Sequence, residues 1–455
     1  MNDINPMWVA PRAGHDWRDE DILRATTWLR SFVSAAEWER RVEATRDRLT
    51  EAWKDWSAGQ PTPFYDPKDL AAWDIFQAET YAIDRAYWVP EASAKIAPIM
   101  TRIGQELALM RTVHGVEERA VRIVKSERQQ PDGAYFELLV ALAYRRRGWT
   151  DVTFVPERPG SERTPDLVVQ RPRRKWAVEC KRVGASKYEA KEKARGEELA
   201  RPVHDLCLDA GRSVVMEVIY HQELESVPDD HLKRRAAAFL ADRREGNWVS
   251  AESTGRIRDV DWDLLRHVLR SDLVYFGSSR MIELLVGKYN HQADHSMAAK
   301  WRPAEARPFY ADAVYQASVV SWWSRSDKAI ARKARHFRSI LANANGQLPH
   351  DMPGVIHVGI QSWGGLAVDA TRHLRNWLAS YDFAPSGSRL RWVYGNYFAP
   401  EITTRRNESW AMDETTVPYK IGRHSTAEPL PGHFLLTPET NARPGFHWDG
   451  RSSQT

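Results

Sequence analysis

The chain has 455 residues, of which 42% are hydrophobic and 28% are charged, and its formal net charge at pH 7 is +4. This balance is typical of a globular protein and excludes a disordered chain, and the length suffices for two or three domains or one elaborated domain. No apolar run approaches ~20 residues and no signal-peptide pattern opens the chain, so we expect a cytoplasmic protein without a membrane span. The two cysteines, Cys180 and Cys207, are too few for a disulfide framework or a cysteine zinc site.

Residues 1–128 are predicted to be helical. Apolar residues recur at three- and four-residue intervals in residues 28–56 and again in residues 96–127, and a proline-rich break at residues 61–67 ends the first run. We interpret this region as a helical domain, or as a helical cap packed on the domain that follows.

The next predicted helix runs from Ala134 to about Arg147 and ends at Gly148. Its interior is apolar on nearly every side except at Glu137. A carboxylate in such a helix is destabilising unless something positive meets it. Two partners are compatible with the pattern: one of the many arginines, or a metal ion with its water shell.

A β-hairpin is predicted after this helix. Residues 165–170 and 175–181 have strand character, and residues 171–174 form a basic, proline-containing turn. Alternation in the second strand places Glu179 and Lys181 on one face, roughly 7 Å apart. Folding the hairpin brings Asp166 opposite the Glu179 end.

These groups have the chemistry of a metal-dependent phosphodiesterase. Asp166 and Glu179 would hold a hard divalent cation, for which oxygen ligands favour Mg²⁺ or Mn²⁺ over zinc. Lys181 would stabilise charge on the phosphate or orient the attacking water. Taken singly, each residue has a simpler interpretation, since Pro-Asp is a common loop dipeptide and a Glu and a Lys two apart on a strand usually form a solvated face. Their combination on a hairpin that follows a glutamate-bearing helix in the sequence favours the catalytic interpretation.

The order of a Glu-bearing helix, then Pro165-Asp166, then Glu179-Cys180-Lys181 resembles the PD-(D/E)xK nuclease superfamily over residues 133–181. The resemblance implies an α/β, restriction-endonuclease-like core, which is a central mixed sheet flanked by helices. It also implies that Asp166 and Glu179 bind the metal, that Lys181 is the catalytic lysine, and that Glu137 is an accessory acid for a second metal ion or its waters. The backbone carbonyl of Cys180 would be a further ligand.

The rest of the chain is predicted to continue the same architecture. A kinked helix over residues 188–210 precedes a buried strand at residues 213–220, and later helices and strands between residues 328 and 398 extend the central sheet. We therefore place one nuclease-like domain at residues 129–400, with an insertion at about 221–307. Residues 401–455 form a C-terminal tail, in which the sequence FLLTP is a candidate edge strand.

Basic residues cluster near the predicted site, and alone they would be interpreted as a solvated face. Beside a phosphodiesterase motif they favour nucleic-acid binding, for which the candidates are Arg173, Arg174, Lys187 and Lys191. No GxxxxGK[ST] loop, HExxH helix or CxxC pair points to nucleotide hydrolysis or zinc.

The expected function is a Mg²⁺- or Mn²⁺-dependent nuclease that hydrolyses phosphodiester bonds in DNA. The resemblance implies a role in bacterial defence or a restriction-type system, with homo-oligomers or partner proteins of that system. Two alternatives stay open. One is a catalytically silent member of the fold that binds nucleic acid or a partner protein, and the other is a nuclease specific for RNA or branched junctions.

Overall fold

The structure, a computed structural model, describes residues 19–57, 62–156, 164–184, 186–334, 337–383, 387–402, 410–437 and 445–449. These residues form an α/β fold with two mixed β-sheets flanked by helices. At this level the expected fold class is confirmed.

The described helices, in chain order, are α1 (Asp19–Arg30), α2 (Ala35–Ser57), α3 (Leu70–Ala82), α4 (Pro90–Gln105), α5 (Leu107–Met110), α6 (Val116–Val124), α7 (Pro131–Arg146), α8 (Lys187–Asp209), α9 (His231–Ala241), α10 (Asp263–Leu269), α11 (Ser279–Val286), α12 (Asp327–Lys333), α13 (Arg338–Asn345) and α14 (Leu366–Tyr381). The described strands are β1 (Asp151–Phe154), β2 (Leu167–Arg171), β3 (Arg174–Val183), β4 (Val214–Tyr220), β5 (Asn247–Val249), β6 (Ser253–Asp259), β7 (Val274–Tyr275), β8 (Asp294–Ala304), β9 (Arg307–Ser324), β10 (Gly354–Gln361), β11 (Leu390–Ile402) and β12 (Trp410–Lys420).

The N-terminal region is helical, as predicted, in its described part. The first predicted run is two helices, because α1 ends before a turn at residues 31–34 and α2 begins after it. Helix α3 begins after Asp69, whose side chain accepts a hydrogen bond from the Ala72 N–H at 3.2 Å.

These helices share one hydrophobic core with the first sheet. Trp28 of α1 and Ile99 of α4 belong to the same buried cluster as Leu138 of α7 and Val178 of β3. Of the two arrangements that the sequence allowed, the helical region is thus a cap packed on the sheet domain.

The predicted hairpin is present. Strands β2 and β3 pair antiparallel, and Arg171 at the end of β2 lies opposite Arg174 at the start of β3. Pro172 and Arg173 therefore form a two-residue turn, in which Arg173 adopts a φ of +63°. A left-handed conformation is uncommon for a residue other than glycine and is tolerated at such tight turns.

The first sheet has the strand order β1-β2-β3-β10-β11-β12, with β10 parallel to both β3 and β11. The two faces of β3 lie in different cores. Trp176, Val178 and Cys180 pack in the cluster that contains α7, whereas Ala177 packs with Leu341 of α13. The predicted alternation along β3 is therefore confirmed.

The second sheet has the order β5-β6-β4-β9-β7, with β8 paired to β9. Strand β4 was expected in the central sheet, and this placement is wrong, because β4 pairs with β6 and β9 while β10 occupies the position beside β3. A continuous apolar run specifies a buried strand without specifying its neighbour. The segment that forms the second sheet accordingly runs from β4 to the end of β9, and extends beyond the insertion predicted at 221–307.

Part of the predicted C-terminal tail belongs to the first sheet. Strand β12 pairs antiparallel with β11 and completes the first sheet, whereas residues 434–437 of the FLLTP candidate form no strand. The chain then packs against α4 and against the segment between α7 and β1. The Trp149 indole donates to the Pro429 carbonyl at 3.3 Å, and the Arg102 guanidinium donates to the Leu436 carbonyl at 2.6 Å.

Within the described residues, no helix combines the length and the apolar character that spanning a bilayer requires. Cys180 and Cys207 are both buried, and both are free thiols.

Candidate active site

The hairpin places Asp166 and Glu179 side by side. Asp166 immediately precedes β2, and its Oδ2 accepts a hydrogen bond from the Cys180 backbone N–H at 2.7 Å. This bond ties the Asp166 carboxylate to β3 directly after Glu179. Glu179 itself has 0% of its surface exposed. The antiparallel pairing of β2 and β3 thus explains why two residues 13 positions apart in sequence come together.

Lys181 lies two residues after Glu179 in β3, on the same face of the sheet. Its ammonium group donates to Glu179 Oε1 and, at 2.9 Å, to Gln347 Oε1. The second oxygen of Glu179, Oε2, is buried and has no hydrogen-bond partner among the described residues. A buried, unpartnered carboxylate oxygen is destabilising unless a cation or a donor satisfies it.

Glu137 projects from α7 and is held by Arg119 of α6. The guanidinium Nε and Nη2 donate to the two carboxylate oxygens at 2.6 and 2.8 Å, and Nη1 bonds Glu127. Both partners are largely buried. Of the two partners that the sequence allowed for Glu137, the structure shows the arginine.

Three carboxyl groups repel one another at this site. Burial, followed by the charge of Glu179, raises the pKa of Asp166 to about 7. Burial, followed by the charge of Asp166, raises the pKa of Glu137 to about 7 against the opposing effect of Arg119. The pKa of Glu179 also rises to about 7, chiefly by burial, although Lys181 lowers it. Such repulsion in a buried site favours binding of either a proton or a cation.

The pKa of Lys181 is raised above its ordinary value although burial alone would lower it. The hydrogen bond to Glu179 and the negative charges of Glu179 and Asp166 outweigh that burial. Lys181 is therefore a charged ammonium at neutral pH, able to offset negative charge beside the carboxylates.

The side chains present fit a hard divalent cation. Asp166 and Glu179 supply oxygen ligands, and Glu179 Oε2 lacks a partner. Cys180, whose carbonyl is the expected further ligand, lies between Glu179 and Lys181 in β3. No group of three or more His, Cys, Asp or Glu side chains in the described part of the chain is arranged to hold a metal. Two carboxylates with water or phosphate oxygens match the usual coordination of Mg²⁺.

Two of the predicted nucleic-acid contacts lie away from these carboxylates. Arg173 is exposed at the hairpin turn, and Arg174 donates to the Ala427 carbonyl at 2.7 Å. Arg174 and Glu179 are five positions apart in sequence, which is roughly 17 Å along an extended strand.

The other two predicted contacts lie on α8, which begins four residues after β3 ends. Lys187 is exposed in the first turn of that helix, and Lys191 forms an exposed ion pair with Glu225 at 2.6 Å. Lys187 therefore lies at the same end of β3 as Lys181, whereas the charge of Lys191 is partly neutralised.

Sequence reasoning missed Arg119, Glu127 and Gln347. Arg119 lies on the buried face of α6 with Val116 and Ile123. A charged residue at apolar spacing was the available signal, because such a residue requires a buried partner. Nothing in the sequence marks Gln347 as a neighbour of Lys181.

The predicted residues Asp166, Glu179 and Lys181 thus meet at one end of the hairpin, and Glu137 lies near enough for the charge of Asp166 to raise its pKa. The chain matches no protein-family model, and no curated protein or solved structure is significantly similar to it.

Proposed function

We propose that this protein is a divalent-metal-dependent nuclease that hydrolyses phosphodiester bonds in DNA, and that its first sheet is a restriction-endonuclease-like core. The main support for the proposal is the burial and hydrogen bonding of Glu179. This residue is fully buried beside Asp166, bonded to Lys181 through one oxygen, and without a partner on the other among the described residues.

In this proposal Asp166 and Glu179 hold Mg²⁺ or Mn²⁺. The bound cation would supply Lewis-acid activation of water and of the phosphate. Lys181 places its ammonium group beside the same carboxylate and offsets negative charge that develops on the phosphate. The Asp166 bond to the Cys180 N–H fixes the spacing of the two acids.

The arrangement of elements supports the proposed core type. Helix α7 packs on the face of β3 opposite Ala177, the hairpin carries both acids, and β10 lies parallel beside β3. The site lies at the carboxyl end of the parallel strands β3 and β10, which is where ligands bind in open α/β sheets.

The test is a cleavage assay on purified protein. Plasmid, linear duplex, single-stranded DNA and RNA are each incubated with Mg²⁺, Mn²⁺ or a chelator. We expect metal-dependent cleavage of DNA that is lost in Asp166→Asn and retained in the control Glu217→Gln, which alters a carboxylate of the second sheet. Cleavage confined to RNA would identify an RNA-specific nuclease, and cleavage confined to a branched DNA substrate added to the same series would identify a junction-specific one.

A catalytically silent, nucleic-acid-binding protein is the second candidate. The observation in its favour is that Arg119 donates hydrogen bonds to both oxygens of Glu137. The guanidinium therefore already balances the charge of this carboxylate, which the nuclease interpretation assigns to a metal ion or its waters. Retarded migration of DNA with no turnover under any metal condition, unchanged in Asp166→Asn, would support this candidate over the nuclease.

A further inference from the structure

The face of α14 that packs against the rest of the chain carries mainly polar residues. Asp369 Oδ2 bonds the ring of His447 at 3.0 Å, and the Asn376 side chain donates to the Tyr397 hydroxyl at 2.9 Å. Hydrogen bonds therefore help to attach this helix to the fold. The buried polar residues of α14 are Asp369, Arg372, Asn376 and Ser380.

The opposite face of α14 is apolar and exposed. Its four large side chains are each 48–69% exposed, and two alanines precede them along the helix. Because these residues recur at intervals of three, four and seven positions, they form one continuous stripe, and none of them is charged. We call this set the α14 stripe: Ala367, Ala370, Leu374, Trp377, Leu378 and Tyr381.

This distribution is the reverse of that of an ordinary surface helix, which buries its apolar face and exposes its polar one. The exposed apolar surface is also continuous. The rings of Trp377 and Tyr381 stack with their centroids 6.1 Å apart, and Phe446, which is 37% exposed, packs against His373 beside the stripe. A contiguous apolar patch of this kind marks an interaction surface.

The side chains of the stripe change in size along the helix. Ala367 and Ala370 occupy its first two turns, whereas the leucines and the two aromatic residues occupy its second half. If two copies of α14 pack antiparallel, the large residues of each copy meet the small residues of the other. Leu374 then meets its own counterpart at the two-fold axis, and Tyr381 meets Ala367. Such self-complementarity is what a two-fold symmetric interface requires.

We propose that the α14 stripe is a dimer interface, covered by the same stripe of a second copy of this chain in antiparallel orientation. The exposed part of the stripe amounts to roughly 500 Å² in each copy, since aromatic side chains bury about 150–250 Å² when fully covered. A pair of copies thus removes roughly 1,000 Å² from water, which is about the least that a specific interface needs.

Charge is compatible with this pairing. The stripe carries no charged side chain, so its two copies do not repel each other. Antiparallel packing also brings the exposed Asp382, directly after α14, to the amino end of the other copy's helix, where a negative charge is stabilising.

The interface is tested by sedimentation velocity of the full chain from about 1 to about 100 µM, in chelator and without nucleic acid. The result therefore does not depend on the proposed nuclease activity. We expect the wild type to dimerise within this range. Trp377→Ala should weaken dimerisation by about tenfold or more, because it removes the largest side chain of the stripe.

Charged substitutions at Leu374 test the two-fold pairing. Leu374→Glu and Leu374→Lys should each weaken dimerisation by at least about tenfold, because like charges then meet at the axis. An equimolar mixture of the two variants should dimerise again, because opposite charges then meet. The control is Leu264→Glu in α10, where the leucine is similarly exposed, and it should associate like the wild type. Leu374 is exposed, so both variants should keep the circular dichroism spectrum of the wild type.

A wild type that stays monomeric over the whole range overturns the proposal, including the case in which another protein or a lipid surface binds the stripe. Dimerisation that is undiminished in Trp377→Ala and in both Leu374 variants overturns the assignment of the interface to α14. Loss of the dimer in both Leu374 variants without recovery in their mixture contradicts the antiparallel pairing about Leu374.

Discussion

Arg119 and Glu137 form a two-point ion pair that links the helical cap to the candidate site. Nitrogens Nε and Nη2 of Arg119 bind the two carboxylate oxygens at 2.6 and 2.8 Å. The pair positions Glu137 near Asp166 and limits the repulsion between these two acids. The N-terminal helices therefore help to build the site as well as cover the sheet.

Removal of one partner should be strongly destabilising. Arg119→Met leaves Glu137 buried without its cation, and we expect a loss of about 3–5 kcal/mol in the free energy of unfolding. Urea denaturation measures this loss. The double variant Arg119→Met/Glu137→Gln should recover much of it, because no unpaired charge remains. Additive effects of the two substitutions would contradict the coupling.

Metal affinity should increase with pH through neutrality. Asp166 and Glu179 each have a pKa of about 7, so a cation must displace protons at lower pH. Calorimetric titration with Mn²⁺ should give tighter binding at pH 8 than at pH 6, and Asp166→Asn should remove most of the binding. An affinity independent of pH would show that these carboxyls are not the ligands.

Without metal, the same carboxyls should make stability fall as pH rises. The pKa of Asp166 is about 7 in the folded protein against an ordinary 3.8. The folded state therefore binds more protons between these values. The resulting stabilisation is complete below the lower value and is lost as pH rises through the higher one.

This pH dependence is measured by urea denaturation in chelator at pH 5 and pH 8. Asp166→Asn should lose less stability between the two conditions than the wild type does, because the repulsion is gone. A matched surface variant, Asp259→Asn, should follow the wild type. Parallel curves for the wild type and Asp166→Asn would contradict the assigned pKa.

Alanine substitutions at two glycines test how closely α7 is packed. One glycine lies where α7 contacts the sheet, and the other lies where α7 has open space beside it. In Gly359→Ala the new Cβ would meet the Phe136 ring at 2.7 Å, and we expect a destabilisation of about 1–3 kcal/mol. Gly133 of α7 has nothing within 4 Å of its Cβ position. Gly133→Ala should therefore raise stability by about 0.5–1 kcal/mol through helix propensity. Thermal unfolding of both variants tests the packing of α7 on β10.

The hairpin was predictable because its signals are local. Alternating apolar residues define β3, and Pro172 marks the turn, so the meeting of Asp166 and Glu179 follows from pairing alone. The neighbour of β3 was not predictable in this way. Strand β10 begins at Gly354, and its apolar pattern is like that of β4. A buried run does not encode which sheet it joins.

The partner of Glu137 also depended on tertiary structure. The sequence indicated that a positive group was needed, but Arg119 is 18 residues away and lies on another helix. Gln347, which bonds Lys181, lies after α13 and carries no motif. Contacts of this kind arise from packing of whole elements and leave no local pattern.

A comparison of DNA cleavage with Mn²⁺ binding in Lys181→Met separates the catalytic role of Lys181 from the metal-binding role of the two carboxylates. The variant keeps both carboxylates, so calorimetry should still detect Mn²⁺ binding, whereas the rate of Mn²⁺-dependent DNA cleavage should fall by at least about 100-fold. Undiminished cleavage by Lys181→Met, with wild-type protein active in the same assay, would show that Lys181 and the carboxylates beside it are not the catalytic centre.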